Sequence, residues 1–239
     1  MEKIKKWYSF GENGAYKGPE PAFFDISKKE WAIAFEKNHP LILSEFEKII
    51  ASRDKNIIPY FNETLASKAE NWTIFPLYMW GKKRKENCEK CPQTTALLES
   101  FPAMTTATFS ILKANTSIKP HYGDSNVMYR CHLTLKSPGT LPEIGMRVKN
   151  EKTSWIAGNI IAFCDAHEHE VWNNTNEERW VLIIDVLREE FENEKKKICA
   201  EVNATLWWQW KFQKSSFISH IPRFGRKVMM EVTSWFMYG

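Results

Sequence analysis

No apolar run in this chain approaches the ~20 residues that a membrane-spanning helix needs. The first stretch, "MEKIKKWYSFG", carries lysines but no apolar segment after them, so no secretory signal is read there and a cytoplasmic location is expected. Cysteine is sparse and odd in number, five in 239 residues. That excludes a disulfide framework and suits a reducing compartment. Cys88 and Cys91 have the spacing of a redox or zinc pair, but no second pair or nearby histidine completes a zinc site, and no special role is expected of them. The net charge of +4 is too small to make nucleic acid the main partner. Internal repeats, low-complexity tracts, a Ser/His/Asp set and paired carboxylates are also missing.

What remains is a chain rich in apolar and aromatic side chains, 43% hydrophobic with 11 Trp and 15 Phe. That is enough to bury a core, and aromatic-rich cores often surround ligand pockets. The texture divides the chain in three. Residues 1–70 read as a largely helical extension packing on the core, with Ser27 as a helix N-cap, helix over 27–70, and Pro40 starting a second helix or kinking the first. Residues 71–190 hold a short helix over 93–100 and then, from Thr106 to Val186, short alternating strands broken by Pro, Gly and Asn. Residues 191–239 read as a charged helix leading into an aromatic, basic tail.

Strand alternation sorts the polar residues. In "VMYRCHLTL", Met128, Arg130, His132 and Thr134 share one face and Tyr129, Cys131, Leu133 and Leu135 the other. In "RWVLIIDV", Arg179, Val181, Ile183 and Asp185 oppose Trp180, Leu182, Ile184 and Val186. A strand this apolar is expected to be buried, and a buried arginine needs an anion. No acid stands at an obvious cross-strand position to Arg179, so a ligand carboxylate is a candidate partner. Antiparallel strands with Asn-rich turns imply a small barrel or jelly roll whose interior holds one ligand.

Four of the six histidines, His121, His132, His167 and His169, fall within this strand region, and imidazoles converging from separate strands suit a metal. The stretch "IKPHYGDSN" raises a difficulty. A non-haem iron site commonly has His-x-Asp, yet two residues after His121 stands Gly123. Asp124 is a rival third ligand, poorly placed one residue further along a turn. His167 reads as an exposed strand-end residue or, alternatively, as part of the mouth.

Two segments, "FSILKANTSIKPHYGDSNVMYRCHLTL" and "WIAGNIIAFCDAHEHEVWNNTNEERWVLIIDV", resemble the aspartyl/asparaginyl β-hydroxylase family. The resemblance is clear over roughly 106–190 and weaker over "NWTIFPLYMWG" and "CPQTTALLESFP". It implies a mainly β protein with flanking helices and a double-stranded β-helix (jelly-roll, cupin-like) core. It implies an Fe(II)- and 2-oxoglutarate-dependent dioxygenase that uses O2 to hydroxylate an unactivated C–H, with 2-oxoglutarate decarboxylated to succinate. Iron would be held by His121 and His169, with Gly123 the expected residue and water where a carboxylate would be. The co-substrate would lie against Arg179, Ser110 and His132. Arg130 would recognise the carboxylate of a target residue, most simply at the β-carbon of an Asp- or Asn-type residue. Met128 stands where the animal protein hydroxylases have another arginine, which weakens the case for an acidic peptide. A free amino acid, a lipid acyl chain or a non-catalytic jelly-roll binder are the alternatives.

The tail from Thr205 onward has five basic residues (Lys211, Lys214, Arg223, Arg226, Lys227) against one acid, Glu231, so it carries the whole net charge. Its tryptophans, Trp207, Trp208, Trp210 and Trp235, are expected to pack on the domain. The alternative is peripheral contact with an anionic membrane.

Overall fold

A computed structural model of the chain describes residues 4–9, 15–214 and 223–238. Two antiparallel sheets face each other, as expected for a jelly roll. The strands are β1 (Phe23–Phe24), β2 (Ile58–Pro59), β3 (Trp72–Met79), β4 (Lys82–Lys83), β5 (Met104–Leu112), β6 (Thr116–His121), β7 (Met128–Lys136), β8 (Ile144–Val148), β9 (Glu151–Thr153), β10 (Ile160–Phe163), β11 (His169–Asn173) and β12 (Arg179–Leu187). The larger sheet runs β1-β10-β7-β12-β5-β3-β2, with β4 on the side of β3, and the smaller runs β6-β11-β8-β9. From β5 to β8, and again from β9 to β12, consecutive strands alternate between sheets, so β5 leads to β6 and β11 to β12 across the barrel.

The alternation read from sequence is the alternation observed. Tyr129, Cys131, Leu133 and Leu135 of β7, with Leu182, Ile184 and Val186 of β12, bury outward in a core shared with Phe35, Ile42 and Phe46. Those three belong to helices α1 (Glu30–Lys37) and α2 (His39–Ala51), which cover the outer face of the larger sheet. The inward residues meet the smaller sheet: Val181 of β12 packs with Ile118, Met146, Val148, Trp155 and Val171. A strand covered on both faces has to be apolar throughout, which explains the near-continuous apolar run of β12.

Several expectations about the first 70 residues change. Helix ends at Ala51, and Ser27 is not its cap: its N–H and hydroxyl both bond Asp25 Oδ1 at 3.0 and 2.7 Å, and α1 starts at Glu30. Pro40 does stand in the first turn of α2, where its missing N–H costs nothing. The rest of the segment is loop and two short strands that join the larger sheet, β1 against β10 and β2 against β3. Helices α3 (Lys85–Lys90) and α4 (Pro92–Glu99) follow β4. Cys88 and Cys91 are both buried there as free thiols facing the carbonyls of Leu77 and Asn87.

After a 3₁₀ turn at Glu189–Glu194 comes α5 (Lys195–Lys214). Its first half closes one end of the barrel through Ile198, Cys199 and Val202, packed on Trp80, Met128 and Leu187. Helix α6 (Arg223–Tyr238) lies against α5, linked by Trp208 Nε1 donating to Thr233 Oγ1 at 3.0 Å. Among the described residues no helix is long and apolar enough to cross a membrane.

Candidate active site

The cavity lies between the sheets, about 810 Å³ of empty space with its open mouth included. Ser110, His121, Arg130, His132, His169 and Arg179 all line it, together with Asp124. Sequence placed these residues on faces, and the fold brings them to one space.

The two candidate metal ligands come from neighbouring strands of the smaller sheet, where His169 of β11 stands opposite His121 of β6. Their ring centroids are 4.1 Å apart. His121 Nδ1 donates to the Lys119 carbonyl at 2.8 Å, and His169 Nδ1 to the His167 carbonyl at 2.9 Å. Each ring thereby directs its basic Nε2 away from its own strand, the arrangement by which metal-binding histidines are usually oriented. Burial lowers the pKa of both, for His169 well below the usual value, so the neutral, ligating form is favoured. The donor set suits a divalent transition metal.

Gly123 has a steric reason. A Cβ built on it would lie 1.7 Å from Asp165 Oδ2 and 1.9 Å from Asp165 Cγ. The space where a His-x-Asp side chain would begin already holds a carboxylate, delivered from the turn before β11. Asp165 is fully buried. It accepts from Arg130 Nη1 at 2.6 Å and from the Asp124 N–H at 2.8 Å, and its Oδ1 lies 3.7 Å from His169 Nε2. Burial pushes its carboxyl pKa upward, against the pull of Arg130. Asp124 itself turns to Trp80, whose Nε1 donates to Oδ2 at 3.3 Å. Among the described residues no group of three or more His, Cys, Asp or Glu side chains is disposed to hold a metal ion.

Arg179 opens β12 and is 1% exposed. Its guanidinium carbon sits 4.5 Å from the centroid of Trp155, but Nε and Nη1 have no hydrogen-bond partner. Burial alone pulls its pKa down to about 9. The other buried side-chain atom without a partner among the described residues is Thr134 Oγ1. An unpaired, water-excluded guanidinium is costly, so it marks a place for an anion. Ser110 of β5 and His132 of β7 stand on the two strands that flank β12 in the larger sheet. Ser110 Oγ accepts from Trp72 Nε1 at 3.0 Å, leaving its own O–H to donate. Trp155 Nε1 donates to His132 Nδ1 at 3.4 Å, which places the ring proton on Nε2. Burial and the nearby Arg179 hold His132 neutral. Three donors with no competing acid therefore line one part of the cavity, a fit for one end of a dicarboxylate.

Arg130 differs from the expectation. Its Nε and Nη2 donate to Asp185 Oδ1 and Oδ2, both at 2.8 Å, and its Nη1 to Asp165. Asp185 is its direct cross-strand neighbour in the β12–β7 register. Three of its five N–H groups are spent inside the chain, on two fully buried carboxylates. A receptor for a substrate carboxylate would instead need those donors. His167 is also corrected: it is 3% exposed, with Nε2 against the Glu20 carbonyl at 2.8 Å, so it neither faces solvent nor lines the mouth. Sequence reasoning missed Asp165, Asp185, Trp155 and Trp72. The face of Asp185 was legible, but not its register.

The model of the family described as Aspartyl/Asparaginyl beta-hydroxylase matches residues 36–189. The chain belongs to that family. A Rhizobium tropici relative named ornithine lipid ester-linked acyl 2-hydroxylase is 33% identical over 173 residues, covering 70% of this chain and 61% of its own length. The human aspartyl/asparaginyl beta-hydroxylase is 30% identical over 171 residues, 69% of this chain and 22% of its own. The chain thus spans less than two thirds of the curated hydroxylases it matches. Among solved structures, a Pseudomonas putida prolyl-4-hydroxylase aligns over 65% of this chain and 90% of its own, with a TM-score of 0.45 and 16% identity. This family member departs from the expected pattern at Met128, which is fully buried under α5 rather than turned to the cavity.

Proposed function

We propose that the chain is an Fe(II)- and 2-oxoglutarate-dependent dioxygenase that hydroxylates an unactivated C–H. The observation that carries the reading is Arg179, an orphaned buried cation in the cavity that also holds two neutral, outward-directed imidazoles. His121 and His169 would hold the iron through Nε2. Bound iron with 2-oxoglutarate supplies the oxidising power for C–H cleavage. The chain's residues supply the rest. Arg179 binds the distal carboxylate of 2-oxoglutarate, with Ser110 Oγ–H and His132 Nε2–H as further donors. Trp155 roofs the guanidinium and fixes the His132 tautomer. Asp165, held by Arg130 and the Asp124 amide, presents a carboxylate beside the imidazole pair and orders water there. Gly123 keeps room for it.

For the substrate, the engaged Arg130 favours an acyl chain over the Asp- or Asn-type residue expected from the resemblance. An incoming carboxylate would meet an arginine with three of its five N–H groups already given to two buried aspartates, whose charge opposes it. Much of the remaining lining is instead apolar and aromatic: Tyr60, Phe61, Met79, Trp80 and Leu206. The Rhizobium tropici relative, named for acyl 2-hydroxylation, agrees with this choice. The test is succinate formation dependent on Fe(II) and O2, with mass spectrometry for one added oxygen atom across a panel of acyl lipids, free amino acids and Asp-containing peptides. Oxygen gained by the acyl class alone supports the reading, and oxygen gained by the acidic peptides alone overturns its substrate half.

A further inference from the structure

The C-terminal hairpin has an apolar face that nothing described in the chain covers. Val228, Val232 and Trp235 are spaced four and three residues apart, one stripe of a helix, and Phe236 lies beside them. Their exposures are 40, 51, 71 and 71%, with Tyr238 at 55%. Aromatic side chains left this open on a folded surface mark an interaction site. The hairpin that carries this face reaches the cavity through α5. Leu206 of α5 lines it, and the next residue, Trp207, is 42% exposed with Lys211 Nζ 5.2 Å above its ring. Phe61, also a lining residue, is 61% exposed.

Charge selects the partner. The segment from Thr205 onward holds five basic residues and one acid, while the remainder of the chain is neutral overall. Tryptophan, tyrosine and phenylalanine suit the boundary between headgroups and acyl chains, and basic residues nearby are drawn to anionic headgroups. Lys214, Arg223, Arg226, Lys227 and Trp210 contribute through sequence alone, since their side chains lie outside the described residues.

We infer that the α5–α6 hairpin is a docking surface for an anionic bilayer, seating the cavity mouth at the lipid surface. This rests on the acyl-chain reading above and adds to it the source from which the chain is drawn.

The test is flotation of the full-length, metal-free protein with vesicles of phosphatidylcholine alone or with a third phosphatidylglycerol, at low and high salt. Expected are binding to the anionic vesicles only, weakened by salt, and roughly tenfold less bound protein for the Trp235→Ser, Phe236→Ser double variant with an unchanged melting temperature. No flotation with anionic vesicles at low salt overturns the inference. So does equal flotation of the double variant, or a wild-type dimer in solution that the double variant dissolves, which would make the face a self-association surface. Because no iron or 2-oxoglutarate is present, this outcome is separate from the catalytic reading, which is judged by succinate formation with detergent-dispersed acyl substrate.

Discussion

Arg179 and Arg130 line the same cavity, and the fold treats them in opposite ways. Arg179 reaches the cavity from the first position of β12 with two of its nitrogens unpartnered and only an indole face beside it. Arg130, on the neighbouring β7, is clasped by Asp185 and Asp165. Both are strongly desolvated, yet burial lowers the pKa of Arg179 while the adjacent aspartates hold that of Arg130 raised despite burial. The difference separates two uses of a buried cation. A satisfied one is part of the scaffold, and its removal leaves uncompensated charge behind. An unsatisfied one is a stability cost retained for a ligand.

The largest expected effect lies beside both arginines. His121→Ala and His169→Ala should each abolish iron-dependent succinate formation, by at least about 100-fold, since even outer partners of metal ligands cost that much. Equilibrium dialysis should show the iron lost as well. Wild-type turnover in both variants would remove the metal centre from the account.

Next comes the comparison itself, read as stability. Arg130→Met strands Asp165 and Asp185 and should cost about 3–5 kcal/mol in denaturant unfolding. Arg179→Met removes an unpaired buried charge and should leave the ligand-free protein within about 1 kcal/mol of wild type, or more stable. Equal losses for the two would mean that Arg179 has a partner of its own and the contrast fails. A smaller effect is expected at the turn. Gly123→Ala should cost about 1–3 kcal/mol because its Cβ meets the Asp165 carboxylate. Gly123→Asp should raise neither iron affinity nor turnover. A clear gain in either would show a degraded three-ligand site instead.

The contrast was half legible in the sequence. Period-two alternation put Arg130 and His132 on one face of their strand and Arg179 with Asp185 on one face of another, and the apolar run around Arg179 made an anionic ligand a candidate partner. Alternation does not carry register, so the pairing of Arg130 with Asp185 could not be read, and an arginine that the resemblance assigned to substrate proves to be held by its own sheet. Asp165 lies in a turn with no periodic signal, and only the space above Gly123 reveals why it is there. His167 was misread for a related reason. Its cover is the Glu20 backbone, from a segment far away in sequence whose helix was expected to run well past Ala51. The tail's tryptophans were expected to pack on the domain, but α5 packs through Ile198 and Val202 ahead of them, while Trp207 and, on α6, Trp235 and Phe236 stay exposed.

We propose that Arg179 receives the distal carboxylate of 2-oxoglutarate. Calorimetric titration of 2-oxoglutarate into the Fe(II)-loaded protein without oxygen tests it most directly. Arg179→Met should weaken binding by about 2–5 kcal/mol, at least about thirtyfold in Kd, while the metal content stays at the wild-type level. An unchanged affinity in Arg179→Met would contradict it and assign the co-substrate's carboxylate to another residue.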